Sequence, residues 1–461
     1  MWIRQIGARL LLIAVPLAIG RTLRRRGVGA AMQWYAGVQL LGVLLVLMHA
    51  LGTPRPAAAA LLAGVAIGCV AHELYRWRAW QSPSEFRSAL PIVLALAVLA
   101  VPAIVQTLAA PVNEWDAVAI WYAKARGLAA WQPLAELSVP NYPNLGAAIW
   151  AIALTLIGSA AEPVSRLIFP FLYLAWVASL HDLVPRVRPW TNAPLVLVAV
   201  APLFQLQAVT SGYQDVALMA AAGMSALFYS RALAAGAPAD ALWGAAFAAV
   251  LPLVKTEGVL LGAALSAAWA LLSPLPARRQ AATVAIFLAG AAAWPLLLLL
   301  NGVDPTRVQG EAFYFASLLD VPQRLNRWGA MQPYFARHFL PRLGVIGAAA
   351  LLSAATFHLL PALRRAVVFL WFVAGLHLLL LFAIFFSTEV DLDWHLGTAF
   401  TRLALQGEFV WPTVTVLCAG RLIAATWPLR DEASSEALAV RAREEAELAN
   451  GKEELAAQPP Q

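Results

Sequence analysis

Apolar runs of 15 to 20 residues follow one another along nearly the whole chain, separated by short polar breaks. A helix rises about 1.5 Å per residue and a hydrocarbon core is about 30 Å thick, so runs of this length predict membrane-spanning helices. Twelve spans are expected near residues 34–51, 57–74, 89–108, 164–182, 193–209, 214–231, 241–254, 258–273, 281–300, 341–360, 366–386 and 411–427. A further stretch, 6–20, lacks a small-residue cleavage site and runs straight into Arg21, so it reads as a retained segment and not as a removable signal peptide. The segment from Leu145 to Gly158 is different: its 14 residues would rise only about 21 Å as a helix. It is expected to be an interfacial or re-entrant helix that stays on the outer side.

Composition agrees with this pattern, because 61% of the 461 residues are hydrophobic and only 12% are charged. A soluble chain carries about a quarter charged residues. The expected fold class is therefore an all-α polytopic membrane protein with about 12 to 13 transmembrane helices. Disorder, a collagen-like fibre and a disulfide scaffold are excluded. Cys69 and Cys418 lie inside apolar runs and read as small hydrophobes.

The net charge of +7 does not indicate nucleic acid, since the arginines sit in short clusters beside apolar runs and line no basic face. Those clusters, Arg21 to Arg26, Arg76 to Arg87, Arg186 with Arg188, Arg278 with Arg279, and Arg364 with Arg365, are expected on the cytoplasmic side. Three loops then face the other side: residues 111–166, 301–340 and 387–410. The chain divides into extra N-terminal helices (1–88), a transmembrane region with the outer loops (89–427) and a charged cytoplasmic tail (428–461). The tail carries four basic and eight acidic residues, which leaves 28 basic against 17 acidic on the membrane part. Glu436 to Leu455 reads as a solvated charged helix. No repeat of fixed period appears, nor an inverted repeat of the transporter kind.

The polar residues with chemical potential collect on the outer side. The first outer loop holds Glu114-Trp115-Asp116 and, farther on, Lys124 and Arg126, with Asn113 a candidate N-cap and Gly127 a candidate stop. Asp116, Ile120 and Lys124 are four residues apart and would share a helix face, with about 12 Å between the charged groups along the axis. This placement also suits ordinary acids-first, bases-last dipole compensation. The alternative is a general base with cations beyond it to receive a phosphate.

Lysine usage is informative: the chain has 29 arginines and three lysines, of which only Lys124 and Lys255 lie outside the tail. Lys255-Thr256-Glu257-Gly258 interrupts an apolar stretch, and ionisable groups at membrane depth line a polar cavity or pair with one another. Asp215 in Ser211-Gly212-Tyr213-Gln214-Asp215 reads as a helix-capping acid or a site residue. Asn141-Tyr142-Pro143-Asn144 is a rigid turn able to present Tyr142. Near the end, Glu389, Asp391, Asp393 and His395 fall within seven residues, followed by Thr398 and Arg402. They read either as a solvated acidic loop or as a cradle for a lipid phosphate or sugar, with Arg402 as a bidentate donor. No second histidine stands at ligand spacing, and the remaining histidines look scattered.

These residues resemble the GT-C superfamily of membrane glycosyltransferases, in the branch akin to lipid A aminoarabinose transferase and the protein O-mannosyltransferases. The likeness is carried by Glu114-Trp115-Asp116 with Lys124, Tyr142-Pro143 before a juxtamembrane helix, Gly212-Tyr213-Gln214-Asp215, Lys255-Thr256-Glu257-Gly258, and Asp393-Trp394-His395-Leu396 with Arg402. It covers roughly residues 101–427. The resemblance implies a GT-C-like helical bundle with an outer juxtamembrane-helix loop, a polyprenyl-phosphate-linked sugar donor, an envelope lipid, glycan or protein acceptor, and an inverting displacement. It implies Asp116 as the base that takes the acceptor's proton, with Lys124, Arg126, Lys255 and Arg402 neutralising the leaving phosphate. Glu114, Tyr142, Asp215, Glu257, Asp393 and His395 complete the implied substrate-binding set. No cofactor is expected, because Asp116 is not followed by a second acid two positions later, although a divalent cation remains open. The implied location is a bacterial inner membrane, with the site on the non-cytoplasmic face.

Two rival classes fit the same span pattern. An O-antigen ligase or polymerase would use a late outer loop, where Arg324, Arg327, Arg337 and His338 stand. A transporter or flippase of lipid-linked sugars would place polar residues at midspan and break helices in paired halves.

Overall fold

The computed structural model describes residues 14–21, 29–77, 83–157, 162–183, 187–305, 324–388 and 391–426. The tail, Glu389, and the stretches 22–28 and 306–323 lie outside them, as do the expectations that rest there. Among the described residues every regular element is helical and none is a strand. The helices are α1 (Ala30–Ala50), α2 (Arg55–Trp77), α3 (Pro83–Ala109), α4 (Ala123–Ala129), α5 (Leu145–Ile157) and α6 (Glu162–Arg166). They continue as α7 (Ile168–His181), α8 (Pro189–Val200), α9 (Leu206–Thr210), α10 (Gln214–Ala235), α11 (Pro238–Val254) and α12 (Gly258–Leu272). The last six are α13 (Ala277–Leu300), α14 (Trp328–Phe339), α15 (Leu343–Leu359), α16 (Arg364–Ser387), α17 (Leu392–Leu405) and α18 (Val410–Thr426).

Nine helical stretches among the described residues are long and apolar enough to cross a membrane, and the chain is a multi-pass membrane protein. Three of the twelve expected spans are shorter than that. Residues 189–203 end in a break at Ala201–Gln205, and α11 and α12 stop on either side of Lys255–Glu257.

Helix α10 is the axis of the bundle. It is buried on every side, as an apolar helix without a polar face must be. Its alanines and Gly223 let neighbours approach closely; a Cβ at Gly223 would stand 2.2 Å from the Trp176 indole nitrogen. The main core spreads around it, through Trp150, Trp176, Tyr229, Trp269 and Phe369. A second, smaller core joins α14, α17 and the end of α16 through Met331, Leu381, Phe385, Leu396, Phe400 and Leu403. Residues 328–339, expected within a loop, thus form an amphipathic helix with its own partners.

Helix α5 sits differently from an interfacial helix. Residues Leu145 to Ala151 are all buried, and Leu145 and Ile149 press on Gly42, well inside α1. The chain nevertheless returns to the same end of the bundle. The Val112 amide donates to Glu162 at 3.3 Å, and Arg166 donates to the carbonyls of Thr107 (3.0 Å) and Ala110. Helix α5 is therefore enclosed by protein along Leu145 to Ala151, between two stretches of chain that meet at one end of the bundle.

The helix order alternates between two ends. At one end meet Ala50 and Asn301, Trp294 and Asn141, and the starts of α10 and α12. At the other, Arg188 precedes α8, Arg231 pairs with Asp240 at 3.2 Å, and Arg278, Arg279, Arg364 and Arg365 open α13 and α16.

Candidate functional site

The polar end of the bundle is built from helix termini. The turn Gly212-Tyr213 precedes α10, and Gly212 takes φ 86°, a backbone conformation that favours glycine. This turn delivers Asp215 into the first turn of α10. Helix α11 ends at Val254, Lys255 is fully extended, and α12 restarts at Gly258. A Cβ at Gly258 would lie 2.0 Å from the Leu251 carbonyl oxygen, so the tight α11–α12 reversal demands glycine. Helix α17, capped by Asp391 accepting from the Trp394 amide at 2.8 Å, carries Arg402 near its C-terminus.

These termini converge. Lys255 donates to Asp215 Oδ1 at 2.9 Å and stands 3.0 Å from Glu257 Oε1. The Gln406 amide donates to the same Asp215 oxygen at 2.7 Å. Arg402 donates to Asp116 Oδ2 at 2.5 Å, and its guanidinium lies 4.4 Å from the centre of the Tyr213 ring. The Tyr213 hydroxyl donates to Glu114 Oε2 at 3.3 Å, while Gln207 donates to Glu114 Oε1 at 2.7 Å. Burial, opposed by Arg402 and reinforced by Glu114 and Asp116, pushes the Tyr213 hydroxyl up to about 12. It therefore stays protonated and able to donate. Thr256 donates to Glu257 at 3.1 Å.

Four carboxylates (Glu114, Asp116, Asp215 and Glu257) thus surround two cations (Lys255 and Arg402). Asp215 is 2% exposed, and its second oxygen has no hydrogen-bond partner. The Asp116 and Arg402 side chains are 29% and 22% exposed, and the Glu257 side chain 21%. The centre therefore has a dry floor at Asp215–Lys255 and a wet rim at Asp116, Arg402 and Glu257. Low dielectric at the floor strengthens each interaction there. Among the described residues no group of three or more His, Cys, Asp or Glu could hold a metal ion.

The other expected site residues stand apart from this centre. Lys124 is wholly buried and donates to the backbone carbonyls of Val139 (2.8 Å) and Tyr142 (2.7 Å). Burial holds it well below the usual lysine range. Its role is to pin the outer loop. The shared face with Asp116 is lost because Ala117–Tyr122 is a π-helical turn, which rotates the later residues out of register. Nor does Gly127 end the helix, which runs on to Ala129 and stops at Trp131 with φ 62°.

Arg126 is exposed beside the Tyr122 ring at 5.9 Å, and the Tyr142 ring packs on Trp121 at 5.9 Å. Asp393 is exposed. His395 is buried against Phe385, with its Nδ1 2.9 Å from the Thr388 hydroxyl. In the late loop, Arg324 and Arg327 donate to carbonyls at the C-terminus of α16. They close a helix end there.

Sequence reasoning missed Gln207, Gln406 and Glu408. Glu408 is 3% exposed at the start of the last apolar run. The rule that singled out Lys255, an ionisable group at membrane depth, applies to it equally. It meets His338 Nε2 at 3.0 Å and the Arg342 guanidinium, with the Gln205 amide 3.4 Å away. Compared with known protein families, curated proteins and solved structures, the chain matches none.

Proposed function

We propose that the chain is a membrane-embedded glycosyltransferase of GT-C type, moving a sugar from a polyprenyl-phosphate donor to an envelope acceptor on the non-cytoplasmic face. One observation carries this reading: acids, cations and amides from five separate stretches of chain meet at one end of the bundle, at helix termini and not at midspan. A transporter would need its polar groups midway across. The basic residues Arg188, Arg278, Arg279, Arg364 and Arg365 open helices at the opposite end, and the positive-inside tendency supports a non-cytoplasmic centre.

The division of labour follows from exposure and charge. Asp116 is the most exposed carboxylate of the Arg402–Asp116 and Lys255–Asp215 pairs, and Arg402 fixes its orientation. In the reaction it takes the acceptor hydroxyl's proton. The acceptor oxygen bonds to the anomeric carbon as that carbon's bond to the phosphate oxygen breaks. The polyprenyl phosphate leaves with the electron pair, and the single displacement inverts the sugar. Lys255 and Arg402 are already paired, so the acid-rich centre suits acceptor activation. The departing phosphate is held from the cation side, by Lys255 and Arg402.

The test is Asp116→Asn in proteoliposomes loaded with a polyprenyl-phosphate sugar. Transfer should fall by about 10²- to 10⁴-fold while the melting profile is kept. Undiminished transfer removes Asp116 as the base, and sugar uptake without any covalent product favours a transporter.

A further inference from the structure

Glu408 lies outside the centre that carries Asp116 and Asp215, yet it is bound to it through the chain. It occupies the turn between α17 and α18, two residues after Gln406. The turn is closed by short backbone bonds: Gln406 to the Leu403 carbonyl (3.2 Å), Gly407 to Ala404 (3.2 Å) and Glu408 to Leu405 (3.0 Å). Its middle residue leaves no freedom, because a Cβ on Gly407 would stand 2.0 Å from the His377 ring. Gln406 points one way, to Asp215; Glu408 points another, to His338 and Arg342 where α14 passes into α15, and to Gln205 in the break after α8.

A carboxylate removed from water this completely is held only where several donors converge on it. The donors here come from two parts of the fold, the α14–α15 junction and the break after α8. Meanwhile the turn and the preceding helix carry two of the centre's groups, Gln406 and Arg402, the latter four residues upstream of Gln406. The side chain of Glu408 therefore ties the α17–α18 turn both to α14, beside the small core, and to the break after α8 in the main bundle.

We propose that Glu408 is a positioning residue of the candidate site, fixing the turn from which Gln406 reaches Asp215 and the helix from which Arg402 reaches Asp116. The kinetic part of this proposal rests on the transferase reading; the geometric part does not.

The test places nitroxide labels on Glu136→Cys in the outer loop and Thr398→Cys on α17, both exposed positions, in a chain whose Cys69 and Cys418 are replaced. Pulsed dipolar spectroscopy then reads the distance between the loop and the helix in the parent, in Glu408→Gln and in Glu408→Asp. Glu408→Gln should at least double the width of the distance distribution, and Glu408→Asp should restore most of it. Sugar transfer in Glu408→Gln should fall tenfold or more through kcat with little change in donor KM. Should Glu408→Gln not fold, His338→Asn, which keeps the Arg342 contact, should give an intermediate width. An unchanged distribution in whichever variant folds overturns the proposal, as does a widened one with parental transfer. A widened distribution in a protein whose parent form transfers no sugar leaves the positioning role standing and sinks the transferase reading instead.

Discussion

At the residue scale the two lysines of the membrane part teach opposite lessons. Their scarcity among 29 arginines drew attention to both Lys124 and Lys255. Lys255 joins Asp215 and Glu257 at the polar centre, whereas Lys124 is an internal prop for the loop backbone. Residue type was legible, but burial partners supplied by Val139 and Tyr142 were not, because they depend on how a loop folds back. The Asp215–Lys255 pair raises a sharper question, since a dry ion pair can serve structure alone. Removing one partner of a buried pair costs about 3–5 kcal/mol because it strands the other charge, while replacing both is often neutral. Lys255→Met should therefore lower the melting temperature strongly, and the double change Asp215→Asn with Lys255→Met should recover it. Sugar transfer should stay lost in the double variant if the pair serves chemistry. Recovery of both stability and transfer would reduce the pair to a structural bridge.

At the element scale, apolar run length located the helices because length against bilayer thickness is a strong constraint. It could not foresee the π-helical turn at Ala117–Tyr122, which breaks a four-residue spacing that looked secure, or the burial of Leu145 to Ala151 in α5. Both are set by tertiary packing. Glycines behaved likewise: Gly127, a plausible stop, lies inside α4 with Leu137 and Gln132 close against it. Gly258, which closes the Lys255-Thr256-Glu257-Gly258 stretch, is the position where the α11–α12 reversal admits no side chain. Gly258→Ala should force α12 away from the Leu251 carbonyl and displace the adjoining Lys255. A destabilisation of about 1–3 kcal/mol is expected from overpacking of this kind, measured by thermal unfolding in detergent. A variant that melts like the parent would show that the reversal is looser than the 2.0 Å approach implies.

At the scale of the whole molecule, one geometric fact organises the rest: charged side chains hundreds of residues apart are brought to one end, while arginines open helices at the other. Arg402 and Asp116, 286 residues apart, are the widest-separated pair in the centre. Arginine placement suggested which side each loop occupies, but nothing in the chain specified that the start of α10, the α11–α12 break and the end of α17 share a corner, since that follows from packing around α10. The sidedness itself is open to direct test. Single cysteines at Glu136 in the outer loop and at Arg278 in the first turn of α13, in a chain without Cys69 and Cys418, should differ in labelling by a membrane-impermeant maleimide. Glu136→Cys should react in intact cells, and Arg278→Cys only after the membrane is permeabilised. The reverse result would turn the Asp116–Arg402 centre toward the cytoplasm. It would then meet soluble nucleotide-activated sugars, and a lipid-linked donor would lose its physical rationale.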